Sequence, residues 1–385
     1  MTSTNLLDGT SPYLKLTHPS DDEKVAQWKK NGVFWKGALT IEAYLKRERY
    51  LLEVPLARDG GLTHWILVDP SGSGSRKVLA GCETLKKKAL VAHNGLVEDV
   101  VCHGVGSVFS PTEFRSRGYG VRLMQEVGSR LRTWQTNGTH CAFSVLFSDI
   151  GKLFYAKSGW HPFPSAHISI PAITGDLAGS NFSPQAKELF AGDLAELCAI
   201  DEQLIRAELN PYALKPIVAI LPDISTIQWH HAREEFVGKE LLGSVPKVKG
   251  AIFGEEGKRV WCYWTRMWYN DDPLQRKGNT LHVLRIAAEN VSAQSTEDLA
   301  VALAAVLRIA QHEAKSWRME QVQIWNPAPF AIVAAKTLDP HAEIIHRETE
   351  SITCLRWYGD GSDSDSTIPA TDQCDWIANE KYGWC

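Results

Sequence analysis

No stretch of this chain constrains its fold more than Arg115-Ser116-Arg117-Gly118-Tyr119-Gly120, because of what flanks it. The strand-like Val105-Gly106-Ser107-Val108-Phe109 precedes it. After it, Val121, Met124, Val127, Leu131 and Trp134 recur at the spacing of a helix with one buried stripe, which predicts a helix over 121–134. A basic, glycine-containing turn between a strand and a helix N-terminus is an anion site. Free backbone N–H groups and the positive end of the helix dipole face whatever sits there. The expected ligand is a phosphate or pyrophosphate.

Which phosphate compound it takes is narrowed by exclusion. A P-loop ends in Gly-Lys-Ser/Thr, and here Gly118-Tyr119-Gly120-Val121 stands instead. A dinucleotide turn needs a small residue three after its second glycine, where this chain has Leu123. The remaining pattern, Arg/Gln-x-x-Gly-x-Gly/Ala, resembles the acetyl-CoA pyrophosphate turn of the GNAT acyltransferase superfamily. Some thirty residues on, Cys141-Ala142-Phe143-Ser144-Val145-Leu146-Phe147 reads as a buried strand and 150–157 as a short helix closed by Ser158-Gly159. Phe154-Tyr155-Ala156-Lys157-Ser158-Gly159-Trp160 is similar to the signature with which GNAT enzymes close the acyl-CoA site. The resemblance implies that Tyr155 protonates the departing thiolate. It also implies contacts to CoA from Arg115, Ser116, Arg117, Gly118, Tyr119 and Gly120, and alignment of the acetyl-pantetheine by backbone N–H groups near Val108 and Phe109. Two departures stand out. Ser116 occupies a place where glycine is common, which is harmless if its φ is negative. Ser148 stands where such enzymes often have an asparagine to contact CoA.

Composition sets outer limits. At 385 residues the chain is too long for one ordinary core, and with 22% charged and 44% hydrophobic residues it reads as globular. A net charge of -4 provides no basic field for nucleic acid. No apolar run reaches the roughly 18 residues of a membrane helix, and residues 1–20 lack the apolar segment of a signal peptide. Cytoplasmic residence is therefore the default. Eight cysteines lie scattered without a C-x-x-C pair and read as buried thiols; His230-His231 and the other histidines lack ligand spacing, so no metal is expected.

Along the chain, a first strand is expected at 13–16, helices at 21–30 and 41–52, and strands at 65–68, 78–85 and 100–109. The strands at 65–68 and 78–85 are joined through the turn-rich Pro70-Ser71-Gly72-Ser73-Gly74-Ser75. A small-residue linker runs over 173–181. Beyond it, strands are expected at 248–253, 260–267, 280–286, 321–325 and 352–357, with a long helix after Ser295, a capping-box-like start, and a short one at 330–335. The fold class is thus α/β in the α+β sense. A GNAT fold with a mixed, mostly antiparallel central sheet (1–172) is followed by a second GNAT-like domain without a CoA turn (183–358); an unrelated α/β domain is the alternative. Residues 359–385 form an acidic linker and a tail whose aromatics, Trp376, Tyr382 and Trp384, dock on the protein.

A closer likeness lies in Gly81-Cys82-Glu83-Thr84-Leu85-Lys86-Lys87-Lys88-Ala89-Leu90-Val91, Ser107-Val108-Phe109-Ser110-Pro111 and the terminal Asn379-Glu380-Lys381-Tyr382, which resemble the fungal lysine N6-acetyltransferase family of lysine catabolism. The resemblance implies acetyl-CoA as co-substrate and the side-chain amine of free L-lysine as acceptor. A lysine ammonium, pKa about 10.4, must lose a proton before it attacks. Glu83 and His103, on the third and fourth expected strands, are equal candidates for the base. Other acceptors (a polyamine, another small amine, a protein lysine) and a non-catalytic acetyl-CoA sensor remain open from the residues alone.

Overall fold

The computed structural model describes residues 6–70, 76–173, 186–359 and 368–384. The expected turn at 70–75, the linker at 173–181 and the acidic stretch at 359–366 fall almost wholly outside them. The first half runs β1 (Lys15–Thr17), α1 (Asp21–Trp35), α2 (Ile41–Leu51), β2 (Leu62–Asp69), β3 (Lys77–His93), β4 (Leu96–Phe109), α3 (Tyr119–Leu131), β5 (Cys141–Ser148), α4 (Leu153–Ala156), β6 (His161–Pro162) and β7 (Ala166–Pro171). The second runs β8 (Lys187–Leu189), α5 (Leu194–Glu208), β9 (Ile217–Ile220), α6 (Ile224–Leu242), β10 (Gly250–Phe253), β11 (Val260–Met267), β12 (Thr280–Ala288), α7 (Thr296–Ser316), β13 (Gln321–Trp325), α8 (Pro329–Leu338), β14 (Ile344–His346), β15 (Ile352–Trp357), α9 (Ala370–Gln373) and β16 (Asp375–Trp376).

Local signals account for many of these boundaries. Ser20 and Glu23 form a reciprocal capping box that starts α1, and Ser295 caps α7 by accepting from the Asp298 N–H. Helix α1 runs five residues past its expected end. Gly32 allows this close to α2, since a Cβ there would lie 2.9 Å from the Tyr44 ring. Helices α5 and α6 and strands β7, β8, β9 and β14 were not expected from the pattern.

Two sheets form. The first has the order β1-β2-β3-β4-β5-β15-β6, with β9 beside the far half of β3 and β16 beside β9; the second has the order β14-β7-β13-β12-β11-β10-β8. Most pairings are antiparallel, but β4–β5, β12–β13 and the short β9–β16 are parallel. The strand register shows that the halves are not separable at residue 172. Strand β15 lies on β5, Ile352 opposite Ser148 and Trp357 opposite Phe143, inside the first sheet. Strand β7 returns the exchange, pairing with β13 from His167 opposite Trp325 to Pro171 opposite Gln321. The expected division at 172 and 358 therefore cuts through both sheets. Sequence pattern marks a strand without naming its partner, because pairing is decided by which edge is left open.

The core is shared in the same way. Helix α3 buries Leu123, Met124, Val127 and Leu131 under the first sheet, as its stripe requires. Trp28, Leu39 and Tyr44 from the first half pack in one cluster with Trp264, Trp268 and Leu303 of the second. The seven described cysteines are free and buried. No helix of the described residues is long and apolar enough to cross a membrane.

The tail docks as its aromatics suggest. Tyr382 is fully buried and its hydroxyl donates to the Ile220 carbonyl at 2.6 Å, while His230 Nε2 donates to the Tyr382 carbonyl at 3.0 Å. Glu380 pairs with Arg285 and accepts from the Ile286 N–H. A second buried network ties α6 to the second sheet: Glu234 binds Lys249 at 2.7 Å and Arg266 at 2.9 Å, all three almost fully buried. Burial pushes the Glu234 carboxyl up, but the two cations outweigh it and hold it below its ordinary range. Removing one partner of such a network leaves buried charge uncompensated. Glu234→Leu is expected to destabilise the protein by about 3–5 kcal/mol, read as a lowered urea midpoint.

Candidate active site

A cavity of about 1470 Å³ opens between the two sheets, and its lining includes most of the 115–120 turn, the end of β4, Glu83, Tyr155, and Lys381 and Trp384 of the tail. The turn is built by two left-handed residues. Gly118, φ +82°, caps α3 without a side chain, and Ser116 has φ +61°, so the negative φ that would make a serine harmless there is not met. A serine in that region carries local strain, since its Cβ crowds the backbone. The N-terminal segment buttresses the turn from behind. Gly9 N–H donates to the Arg117 carbonyl at 2.9 Å, a Cβ on Gly9 would lie 2.6 Å from that oxygen, and the buried Tyr119 gives its hydroxyl to the Leu7 carbonyl. Ser116, Gly118, Tyr119 and Gly120 line the cavity, as does Arg115, whose guanidinium lies over Phe34 and Phe109. Arg117 is not among the lining residues.

The acyl end of the site is a parting of two strands. Strands β4 and β5 are paired from Val101 to Val105, opposite Cys141 to Leu146, and the ladder then ends. A bulge at this level, with Ser107 at φ +52°, shifts the register of β4 against β3 between Gly106 and Phe109. Bulges re-aim a strand and end its pairing. Residues 104–110, including Val108 and Phe109, consequently line the cavity opposite Leu146 and Phe147. Alternate N–H groups of a strand that has lost one neighbour are left to bind something else.

Glu83 stands across β3 from the bulge and opposite His64 on β2. Its Oε1 lies 3.1 Å from His64 Nε2 and accepts from Trp28 Nε1 at 3.1 Å. Burial raises the carboxyl, yet contacts from His64, Trp28 and Ser107 outweigh it, and the net shift is downward. Glu83 is thus an ionised carboxylate on the cavity wall at neutral pH. Tyr155 lines the same cavity, held by α4 and packed edge-on against Phe154. Burial, then the neighbouring Cys82, raise its phenol well above the ordinary value, so it keeps its proton.

Comparison with known proteins places this geometry. Residues 167–385 match the family model of the LYC1 GNAT-like C-terminal domain. The chain belongs to this family. A protein of Yarrowia lipolytica named lysine acetyltransferase is 25% identical over 275 residues, 61% of this chain and 67% of that one. An uncharacterized protein of Saccharomyces cerevisiae is 22% identical over 79% of this chain and 82% of its own length. Among solved structures, a GCN5-related N-acetyltransferase of Kribbella flavida superposes with a TM-score of 0.51 at 17% identity, covering 89% of this chain and 71% of that one. N-myristoyltransferase of Saccharomyces cerevisiae, solved with bound myristoyl-CoA, reaches 0.53 at 10% identity, covering 90% and 79%. The fold is the GNAT fold, and the protein is a GNAT N-acetyltransferase resembling the fungal lysine acetyltransferase.

Besides Arg117, two candidate residues of this acetyltransferase lie elsewhere than the cavity wall. His103 is fully buried between Gln135, whose Oε1 is 3.2 Å from Nε2, and Cys141, whose Sγ is 3.4 Å from Nδ1. It does not line the cavity, because the strand alternation that turns Glu83 inward turns His103 to the other face. Ser148 is also buried away from the wall: its hydroxyl donates to the Gly151 carbonyl at 2.7 Å and accepts from the Ile150 N–H, holding its own loop. A side-chain contact from Ser148 to CoA is therefore replaced by a loop-closing role.

Other wall residues have no sequence motif. Tyr44, Arg47, Glu48 and Leu51 face the cavity from α2, and Trp229, Arg233 and Val237 from α6. The spacing i, i+3, i+4, i+7 and i, i+4, i+8 was the available signal, but a helical stripe that mixes charge and apolar groups reads as an ordinary half-buried face. Lys381 and Trp384 close the wall from the tail, with the Lys381 ammonium 4.3 Å and 4.2 Å from the Trp325 and Trp384 rings. Burial pulls the imidazole of His103 down to about 4, so it is neutral in the working range. In the unfolded chain it titrates near 6.5. Its contribution to stability is full above pH 6.5 and declines as pH falls toward 4, because the unfolded state takes up the proton first. Per histidine the slope is about 1.4 kcal/mol per pH unit. His103→Gln is expected to flatten the acid limb of the stability profile while leaving acetylation turnover and its pH dependence unchanged; denaturation midpoints from pH 7 to 5 and a pH–rate profile check both.

Proposed function

We propose that the protein transfers the acetyl group of acetyl-CoA directly to the N6 amine of free L-lysine, a reaction suited to lysine degradation. One observation carries the reading. A single cavity is lined by the glycine-containing turn before α3, the segment of β4 that has parted from β5, the Glu83 carboxylate and the Tyr155 phenol, the set of groups that amine acetylation calls for. The name of the Yarrowia relative supports lysine as the acceptor.

In this reading the N–H groups around Ser116, Gly118 and Gly120 hold the pyrophosphate, where the dipole of α3 favours negative charge. Open N–H groups of β4 near Val108 and Phe109 align the pantetheine arm and polarise the thioester carbonyl. Glu83 draws the N6 ammonium to the acyl end and accepts its proton, directly or through water. The freed amine attacks the carbonyl carbon, the C–N bond forms as the C–S bond breaks, and the nitrogen sheds its second proton to water. Tyr155 gives its proton to the leaving sulfur; its raised pKa keeps that proton available until thiolate forms. His64 and Trp28 hold Glu83 in place from the sheet and from α1. No enzyme-bound acyl group is required. The cysteines on the strands beside the site, Cys82, Cys102 and Cys141, are buried, and burial raises the Cys141 thiol to about 12.

Mixing the protein with acetyl-CoA and a panel of amines, and measuring free thiol, tests the assignment. L-lysine is expected to give the highest kcat/KM; preference for a polyamine or a basic peptide would redirect the acceptor class, and no thiol from any amine would leave a binding protein. Glu83→Gln is expected to lower kcat by roughly 10²–10⁴-fold. Tyr155→Phe should lower kcat more than it raises the KM for acetyl-CoA. Gly118→Asp places a side chain at φ +82° and a negative charge in the turn, so acetyl-CoA affinity should fall at least tenfold in a folded protein, measured by calorimetry.

A further inference from the structure

Beyond the reacting end, the cavity carries a charge that the chemistry above leaves unused. Arg233 sits in the middle of the α6 stripe Trp229, Arg233, Val237 that faces the cavity. The neighbouring residues on α6 point the other way: His231 donates to the Trp264 carbonyl at 3.0 Å, and Glu234 is taken by Lys249 and Arg266. Arg233 is left with a 3.9 Å contact to the Met267 sulfur and the face of Trp384 at 5.1 Å. No described carboxylate forms an ion pair with it. Arg266 and Arg47, which also line the cavity, are different: Arg266 on β11 is taken by Glu234 and Glu313. Arg47, across the cavity on α2, gives both Nε and Nη2 to Glu48 Oε1, at 2.9 Å and 2.5 Å.

A half-buried guanidinium beside a second cation is held at a loss unless an anion completes it. Burial and the charge of Arg47 both weaken its hold on the proton and bring it down to about 10. Arginine presents a planar fork of donors that matches a carboxylate in bidentate fashion. The phosphates of the donor are accounted for at the other end, by the 115–120 turn. The carboxylate whose charge reaches Arg233, Glu48, is held by Arg47.

We infer that Arg233 is the specificity-determining residue that receives the α-carboxylate of the acceptor, which makes this acetyltransferase selective for a free amino acid over a diamine or a lysine within a peptide. The inference rests on the reading of the protein as an amine acetyltransferase with acceptor and donor meeting at Glu83. With the carboxylate held on α6 and the side-chain ammonium held at Glu83, a free lysine is bound at both ends. A diamine lacks the first anchor, and a peptide lysine has its carboxyl group in an amide bond.

L-lysine and cadaverine, which is lysine without its carboxylate, separate the possibilities. The wild-type protein is expected to prefer lysine in kcat/KM by roughly 10- to 100-fold, the range of a charge-assisted hydrogen-bonded pair. Arg233→Met keeps the length of the side chain and removes the charge. It should raise the KM for lysine by that factor with kcat nearly kept, leave cadaverine unchanged within about threefold, and abolish the preference; Arg233→Lys should recover part of it. L-lysine should raise the thermal midpoint of the wild type and not of Arg233→Met. Equal losses for both amines would show a structural role and overturn the inference, as would a wild type indifferent to the carboxylate or an unchanged KM for lysine in Arg233→Met. Absence of thiol release from every amine would instead overturn the acetyltransferase reading, and this inference with it.

Discussion

The reciprocal exchange of β7 and β15 is the constraint on which the rest of the structure depends. Each of these strands satisfies the backbone donors and acceptors of an edge that belongs to the other half of the chain. An uncovered edge strand is a site for unwanted pairing, and closing β5 with β15 removes that hazard from the strand next to the acyl site. The exchange also ties the two sheets to one geometry. Since the cavity is walled by both, its shape is set by strand register rather than by a flexible interface.

The bulge on β4 acts within that frame. Because β5 is held on its other side by β15, β4 can part from it after Val105 without collapse of the sheet. The opening so produced brings backbone donors to the cavity within one strand pairing of Glu83, and the turn before α3 lies at the end of the same strand. One strand therefore links the part of the cavity beside Glu83 to the turn before α3. The second half has no turn of this kind before α7. Its helix starts instead at a conventional serine cap, Ser295. What that half contributes is the opposite wall: α6, β11, β12 and the docked tail.

Buried charge is distributed by function. Glu234, Lys249 and Arg266 neutralise one another and fasten α6 to the second sheet. On the cavity side of that helix, Arg233 has no such partner. The contrast between adjacent residues of one helix is a matter of facing: a rotation of about 100° per residue takes one side chain into a closed network and the next to an open wall.

Read alone, the chain determined the parts of the site that lie close together in sequence. The turn at 115–120, the helix after it and Tyr155 beyond β5 are local patterns, and their glycines, spacing and aromatic frame report the backbone directly. Ser295 likewise announced α7, and strands at 260–267, 321–325 and 352–357 were legible from their apolar runs. Tertiary structure decided what local pattern does not encode. It put Glu83 on the cavity wall and His103 on the other face of the sheet, two titratable residues on neighbouring strands that pattern ranks alike, because only the pleat and the pairing say which face each one meets. It placed β15 and β7 in each other's sheets, since an apolar strand carries no label for its partner. It brought Arg233, Arg47 and Glu83 to one cavity from segments up to 186 residues apart, because burial selects contacts by shape and charge, and neither is written in sequence distance.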